Sequence, residues 1–200
     1  QDARAVPLGE CVTIPPLTLE ELAQSTLQFG HLTHVTGSPG SGKTSFALRA
    51  ASLALSAGLP VCYVDPERVA SAYLMGHMGI KPGGNFALVQ SAQLHQIRDV
   101  ALSFLNRHPF GLLILDDIHR CTTHEEHIGA DWERTLNTLR ASMSSVSIVA
   151  LGRGQRVFDY LADRVIRLTR EREGFGYRFT KDQTGLSGLS GDFTIPGVSL

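Results

Sequence analysis

The run Gly37-Ser38-Pro39-Gly40-Ser41-Gly42-Lys43-Thr44 fills the pattern G-x-x-x-x-G-K-[ST] at every defined position. That spacing serves phosphate binding. Its glycines let a loop wrap tightly, so that successive backbone N–H groups converge on phosphate oxygens without a Cβ in the way. Lys43 brings charge to the β- and γ-phosphates, and the Thr44 hydroxyl is an oxygen ligand for Mg²⁺. A matching acid stands in Leu112-Leu-Ile-Leu-Asp116-Asp117. Four aliphatic residues followed by Asp116 put a carboxylate at the carboxyl edge of a sheet, to hold Mg²⁺ directly or through water. Asp117 next to it either orients water or caps the following segment. The third acid is Glu67, in Val61-Cys-Tyr-Val-Asp65-Pro-Glu67. Just past a strand, it is placed to polarise a water attacking the γ-phosphate, as general base or by positioning. A lone glutamate there is otherwise a solvated surface charge.

These residues need elements to hold them. Thr18-Leu-Glu-Glu21 opens a short helix with a capping box, and Gly30 ends it. The spacing of apolar residues predicts strands over His31–Thr36, Val61–Val64, Phe86–Val89, Leu112–Leu115 and Val146–Leu151. Helices are predicted over Thr44–Ala57, Ala70–Met78, Leu94–Leu105 and Asp131–Met143. Thr44–Ala57 is apolar on nearly all faces, as a helix packed between a sheet and another layer must be. Alternating strands and helices of these lengths give a mainly parallel twisted sheet flanked by helices, an α/β fold. Val165–Leu168, Gly176–Thr180 and Phe193–Ile195 follow with Gly-rich turns and no helix between them. They are expected to pair antiparallel at one edge of the same sheet. Residues 1–30 form an N-terminal segment with its short helix, and residues 31–200 one nucleotide-binding core.

Composition sets the bounds. Two hundred residues, 42% hydrophobic and 18% charged, suit one globular core and leave little room for accessory modules. No stretch approaches the ~18 consecutive apolar residues of a membrane span. The first residues show no apolar signal core, so the expected place is the cytoplasm, or the nucleus in a eukaryote. A formal charge of −1 excludes a protein that coats nucleic acid by bulk charge. Cys11, Cys62 and Cys121 are too few, and odd in number, for a disulfide framework.

The order of phosphate loop, apolar helix, Tyr63-Val-Asp-Pro-Glu67, helix and Ile114-Leu-Asp-Asp117 resembles the core of the RecA/RadA recombinase ATPases. The resemblance runs from about residue 30 to the end. It implies a RecA-like P-loop NTPase fold, ATP and Mg²⁺ as ligands, Glu67 as catalytic glutamate and Asp116 as metal-coordinating aspartate. Asp117 stands where the family usually has serine. No Asn-Lys-x-Asp guanine-reading motif occurs, which agrees with ATP. Arg178-Phe-Thr-Lys181 and Asp192-Phe-Thr-Ile195-Pro-Gly197 are similar to the family's closing hairpin, whose lysine reaches nucleotide across a subunit boundary. Lys181 matches that lysine. The implied partners are single-stranded DNA and a second copy or paralogue, with nucleotide sites near subunit boundaries.

The chain also departs from that family. After Val146–Leu151 the recombinases carry a polar γ-phosphate sensor and a long DNA-binding loop, whereas Gly152-Arg153-Gly-Gln-Arg156 leads within a few residues to Phe158-Asp-Tyr-Leu and the next strand. Arg153 either takes the sensor's place among the nucleotide-binding residues or is an arginine of a surface turn. His119, Cys121, His124 and His127 are spaced to hold Zn²⁺ or to face nucleic acid with Arg120, or they form a solvated loop. Eight basic residues against four acidic ones between Arg153 and Lys181 suit a polynucleotide or phosphate surface, or an edge strand guarded by charge. The expected role is a Mg²⁺-dependent ATPase acting in DNA recombination, repair or replication as an accessory paralogue. The alternatives are the motor domain of a hexameric replicative helicase and a KaiC-like regulatory module switched by nucleotide without DNA.

Overall fold

Four segments are buried along their whole length: Leu32–Thr36 (β1), Val61–Val64 (β2), Gly111–Leu115 (β4) and Val146–Gly152 (β5). A strand buried on both faces must be covered by helices on both, and so belongs inside a parallel sheet. A computed structural model of the chain places them there. It describes residues 17–81, 83–117, 128–142, 145–153, 156–172 and 174–195. With Phe86–Val89 (β3), Arg164–Arg170 (β6), Phe175–Asp182 (β7) and Ser190–Phe193 (β8), the sheet has the order β3-β2-β4-β5-β1-β6-β7-β8. The four buried strands are contiguous in its middle, and the half-exposed ones lie outside them. From β3 to β6 every pairing is parallel; β6–β7 and β7–β8 are antiparallel, as expected for the C-terminal edge.

The helices are Leu19–Gln24 (α1), Lys43–Ser56 (α2), Ala72–His77 (α3), Leu94–Arg107 (α4), Ile128–Ser142 (α5) and Arg156–Leu161 (α6). On one face α2 packs Phe46, Ala47, Ala50 and Ala54 against Val35, Leu112, Val149 and Leu151, with α1 covering its outside through Leu19, Leu22 and Ala23. On the other face Leu94, Ile97 and Phe104 of α4 and Leu136 and Leu139 of α5 pack against Leu32, Val64, Leu113 and Ile148. Cys62 is buried here, and that burial pushes its thiol up to about 12.

Several elements differ from the sequence expectation, and three of the differences have identifiable reasons. α1 stops at Gln24, six residues before Gly30, because the Ser25 and Thr26 hydroxyls turn back onto the carbonyls of Leu22 and Ala23. α6 was not foreseen. Phe158 is a large apolar anchor of it, wholly buried beside His34 at a ring distance of 5.5 Å. β8 ends at Phe193, because Ile195 is apolar in order to pack beneath the phosphate loop and not to extend the ladder. Among the described residues no helix is long and apolar enough to cross a membrane.

Candidate active site

Strand register levels the chemistry at one edge. Val64 is opposite Leu115, so Asp65 and Asp116 leave β2 and β4 side by side; Thr36 is opposite Gly152, so Gly37 and Arg153 leave β1 and β5 together. This is the carboxyl edge of the parallel strands, where α/β folds bind ligands.

The phosphate loop is shaped by glycines whose replacement would clash or strain the backbone. A Cβ at Gly37 would lie 2.4 Å from Ser41 Oγ and 2.5 Å from the Leu168 carbonyl oxygen. Gly40 and Gly42 have φ of +79° and +87°, the left-handed region that side chains avoid. Gly42 then serves as the N-cap of α2, whose first-turn N–H groups face the loop. Ser38 accepts a backbone bond from Ser41 (3.1 Å), closing the turn around Pro39. Lys43 folds over this loop, its Nζ donating to the carbonyls of Gly37 (2.8 Å) and Ser38 (3.1 Å). Burial holds its amine below the ordinary value, against the opposing pull of Asp117 and Asp116.

Asp116 is buried and accepts hydrogen bonds from the Tyr63 hydroxyl (2.7 Å) and the Thr44 hydroxyl. Burial pushes its carboxyl up to about 6; the two hydroxyls resist, and Asp65 and Asp117 push further up. A buried carboxylate beside a threonine hydroxyl, ringed by more carboxylates, is a site short of positive charge. Hard oxygen donors of this kind fit Mg²⁺, which takes one or two protein ligands and fills its shell with phosphate and water. Among the described residues no cluster of three His, Cys, Asp or Glu side chains forms a separate metal cage. His119, Cys121, His124 and His127 lie outside the described residues.

Glu67 reaches the site through a turn that Asp65 builds. The Asp65 carboxylate accepts from the backbone N–H groups of Val69 (3.0 Å) and Ala70 (2.9 Å), and Arg68 takes φ of +58°. The result is a cleft of about 360 Å³ lined by Gly40, Gly42, Lys43, Thr44, Glu67, Asp116, Asp117 and Arg153. Arg153 also lines this cleft, its Nε 3.9 Å from Asp117 Oδ2. Lys181 is elsewhere: its Nζ donates to the carbonyls of Asp159 (3.1 Å) and Tyr160 (3.0 Å) at the end of α6. Five further residues outside the sequence expectation line the cleft: Ser45 and Val69, and from the C-terminal edge Arg170, Phe175 and Ile195. The signal for Arg170 lies in the alternation of β6, and that for Ile195 in an apolar residue two positions past the last strand.

Residues 33–173 match the family described as ATPase family associated with various cellular activities (AAA). The chain belongs to the AAA family. No curated protein matches it. The match runs from β1 through β6 and so takes in the phosphate loop, Glu67, Asp116 and Arg153; it stops before Phe175 and Ile195, the hairpin side of the cleft. This AAA domain is a P-loop ATPase that binds and hydrolyses nucleotide. The match does not single out the RecA/RadA recombinases among P-loop ATPases.

Proposed function

We propose that this ATPase is a RecA-like, Mg²⁺-dependent accessory protein of DNA recombination, repair or replication, working as a homo-oligomer or with a paralogue. The chemistry follows from neighbouring strands. Glu67 comes from β2 and Asp116 from β4, both facing Lys43 and Thr44 in one cleft. A water held by the Glu67 carboxylate attacks the γ-phosphorus. The bond from that phosphorus to the bridging oxygen breaks, ADP leaves with that oxygen, and the water's proton passes to Glu67. Lys43 and Arg153 carry the negative charge that spreads over the phosphoryl oxygens. Thr44 and Asp116 would hold Mg²⁺, which would supply positive charge to the phosphates. The nucleoside has room as well: a cleft of about 690 Å³ shares Phe175 with the phosphate cleft and is walled by Leu19, Arg49, Met78 and Phe193.

One observation carries the DNA half of the reading. Arg167 and Arg178 stand directly opposite each other in the β6–β7 ladder, both exposed. Like charges so placed cost stability, a cost that an anion lying across them removes. Exposed Thr169 and Thr180 continue the same face. A phosphodiester backbone is an anion of the right kind, and an oligomer would extend the surface. The test is anisotropy of a labelled oligothymidine over a salt series, with and without ATP. Binding is expected to weaken as salt rises, and Arg167→Ala with Arg178→Ala should flatten the log–log slope by about 1.4, two single-strand phosphate contacts. No binding at low salt in either nucleotide state would overturn the DNA reading and favour the KaiC-like module.

A further inference from the structure

Side chains alternate along a strand, so residues two apart share a face. On β6, Ile166 and Leu168 point to the face covered by α2 and are buried in its core. Arg170 has the same parity and lies at the strand's carboxyl end, level with the N-terminal side of α2. Its register partner on β7 is Phe175. The Phe175 ring lies 3.2 Å from where a Cβ on Gly42 would be, and Arg170 Nη1 lies 3.7 Å from where one on Gly40 would be. A single cross-strand pair therefore touches two glycines of the phosphate loop, the ring behind one and the guanidinium at the other.

Three cations line the phosphate cleft: Lys43, Arg153 and Arg170. Lys43 is bonded to its own loop's carbonyls, and Arg153 sits beside Asp117. Among the described residues none makes a hydrogen bond or ion pair with the Arg170 guanidinium, although it is directed at a loop built to hold phosphate. A planar fork of five donors suits paired phosphate oxygens better than any other ligand this cleft takes.

We infer that Arg170 is a phosphate-binding residue acting in cis, a second wall of the nucleotide site supplied by the β6–β7 hairpin. The inference rests on the phosphate loop binding ATP. Because Arg170 belongs to β6 and not to the loop, its contact ties bound nucleotide to the edge that carries Arg167 and Arg178 on its opposite face. Nucleotide occupancy thereby reaches the surface proposed above for DNA, through one strand.

Titration of the full chain with fluorescent ATP and ADP analogues tests it. Arg170→Ala is expected to weaken binding about 10- to 100-fold, the loss of a charge-assisted hydrogen bond to phosphate. Arg98→Ala, on α4 and away from the cleft, removes the same charge and should bind as wild type does. If Arg170→Ala does not fold, Arg170→Gln removes the charge and keeps most of the stem. Wild-type binding together with an Arg170 variant within twofold of it would overturn the inference alone. An equal loss in Arg98→Ala would also overturn it, since the effect would then be one of net charge. Failure of the wild type to bind would overturn the phosphate-loop reading itself.

Discussion

Glu67 stands in the cleft because Asp65, two residues earlier, spends both carboxylate oxygens on the N–H groups of Val69 and Ala70. The glutamate is thus held by a neighbour's hydrogen bonds, on a turn whose Arg68 takes a backbone conformation side chains rarely adopt. Glu67→Gln keeps the shape of that turn and removes the proton acceptor. Its expected effect is unchanged binding of a fluorescent ATP analogue with single-turnover hydrolysis slowed about 10²- to 10⁴-fold. Hydrolysis at the wild-type rate would move the water-positioning role to Asp117. At this scale the sequence is most legible where one residue type has one chemical use. Gly37, Gly40, Gly42, Lys43, Thr44 and Asp116 declare themselves, since each answers a requirement of phosphate or metal geometry. Arg170 does not, because its motif is spatial: the partner glycines are 130 residues away in the chain, as Gly40 and Arg170 show.

Elements were legible to the extent that their burial was uniform. The apolar runs of β2 and β4, and the mostly apolar β5, announce central strands, β1 (Leu-Thr-His-Val-Thr) is marked instead by its β-branched residues, and Val61–Val64 and Phe86–Val89 have the predicted bounds. α6 is six residues long with one dominant apolar anchor, too little for a periodic signal. Its stability comes from contacts distant in sequence. His34 Nδ1 meets Asp159 Oδ1 at 2.7 Å, Arg140 Nη1 donates to the Leu161 carbonyl at 2.5 Å, and Lys181 donates to the carbonyls of Asp159 and Tyr160. Cations at a helix C-terminus answer both its unpaired carbonyls and its negative end. Lys181 therefore has a structural use within the single chain, which the resemblance to a nucleotide-reaching lysine did not suggest. Lys181→Met is expected to lower stability by about 1 kcal/mol, read as a fall in Tm of about 2–4 °C, while turnover at dilution is retained. Unchanged Tm with turnover lost only at concentrations where the protein assembles would instead assign Lys181 to a neighbour's nucleotide.

For the whole molecule, Arg164 is the residue on which distant segments converge. Its side chain is 5% exposed and forms an ion pair with the Asp182 carboxylate, whose side chain is fully buried. The same guanidinium donates to the Ser25 carbonyl after α1, to Gln28 Oε1 (3.4 Å) and to Thr184 Oγ1 (3.2 Å), and it lies 5.6 Å from the Phe179 ring centre. It thereby fastens the stretch between α1 and β1, strand β6 and the turn between β7 and β8. Leu17, whose N–H bonds to the Tyr177 hydroxyl, adds a second tie between the segment around α1 and the C-terminal strands. Burial raises the Asp182 carboxyl, but the Thr184 and Arg164 bonds outweigh it and leave it below the ordinary value. A carboxylate depressed in the folded state contributes stability above its unfolded value, near 4, and that contribution is lost as pH falls through the lower folded value. The wild type should therefore lose Tm progressively below about pH 4, and Asp182→Asn should flatten this part of the profile. At neutral pH the same variant leaves a buried guanidinium without its anion and is expected to cost about 3–5 kcal/mol. Replacing both partners, Arg164→Leu with Asp182→Leu, should recover much of that loss, because removing a buried pair together costs less than orphaning one member. An Asp182→Asn profile parallel to the wild type in acid would show that other carboxylates govern acid stability. A double variant no better than the single would show that Arg164 acts through its bonds to Ser25 and Gln28, holding the N-terminal helix to the sheet.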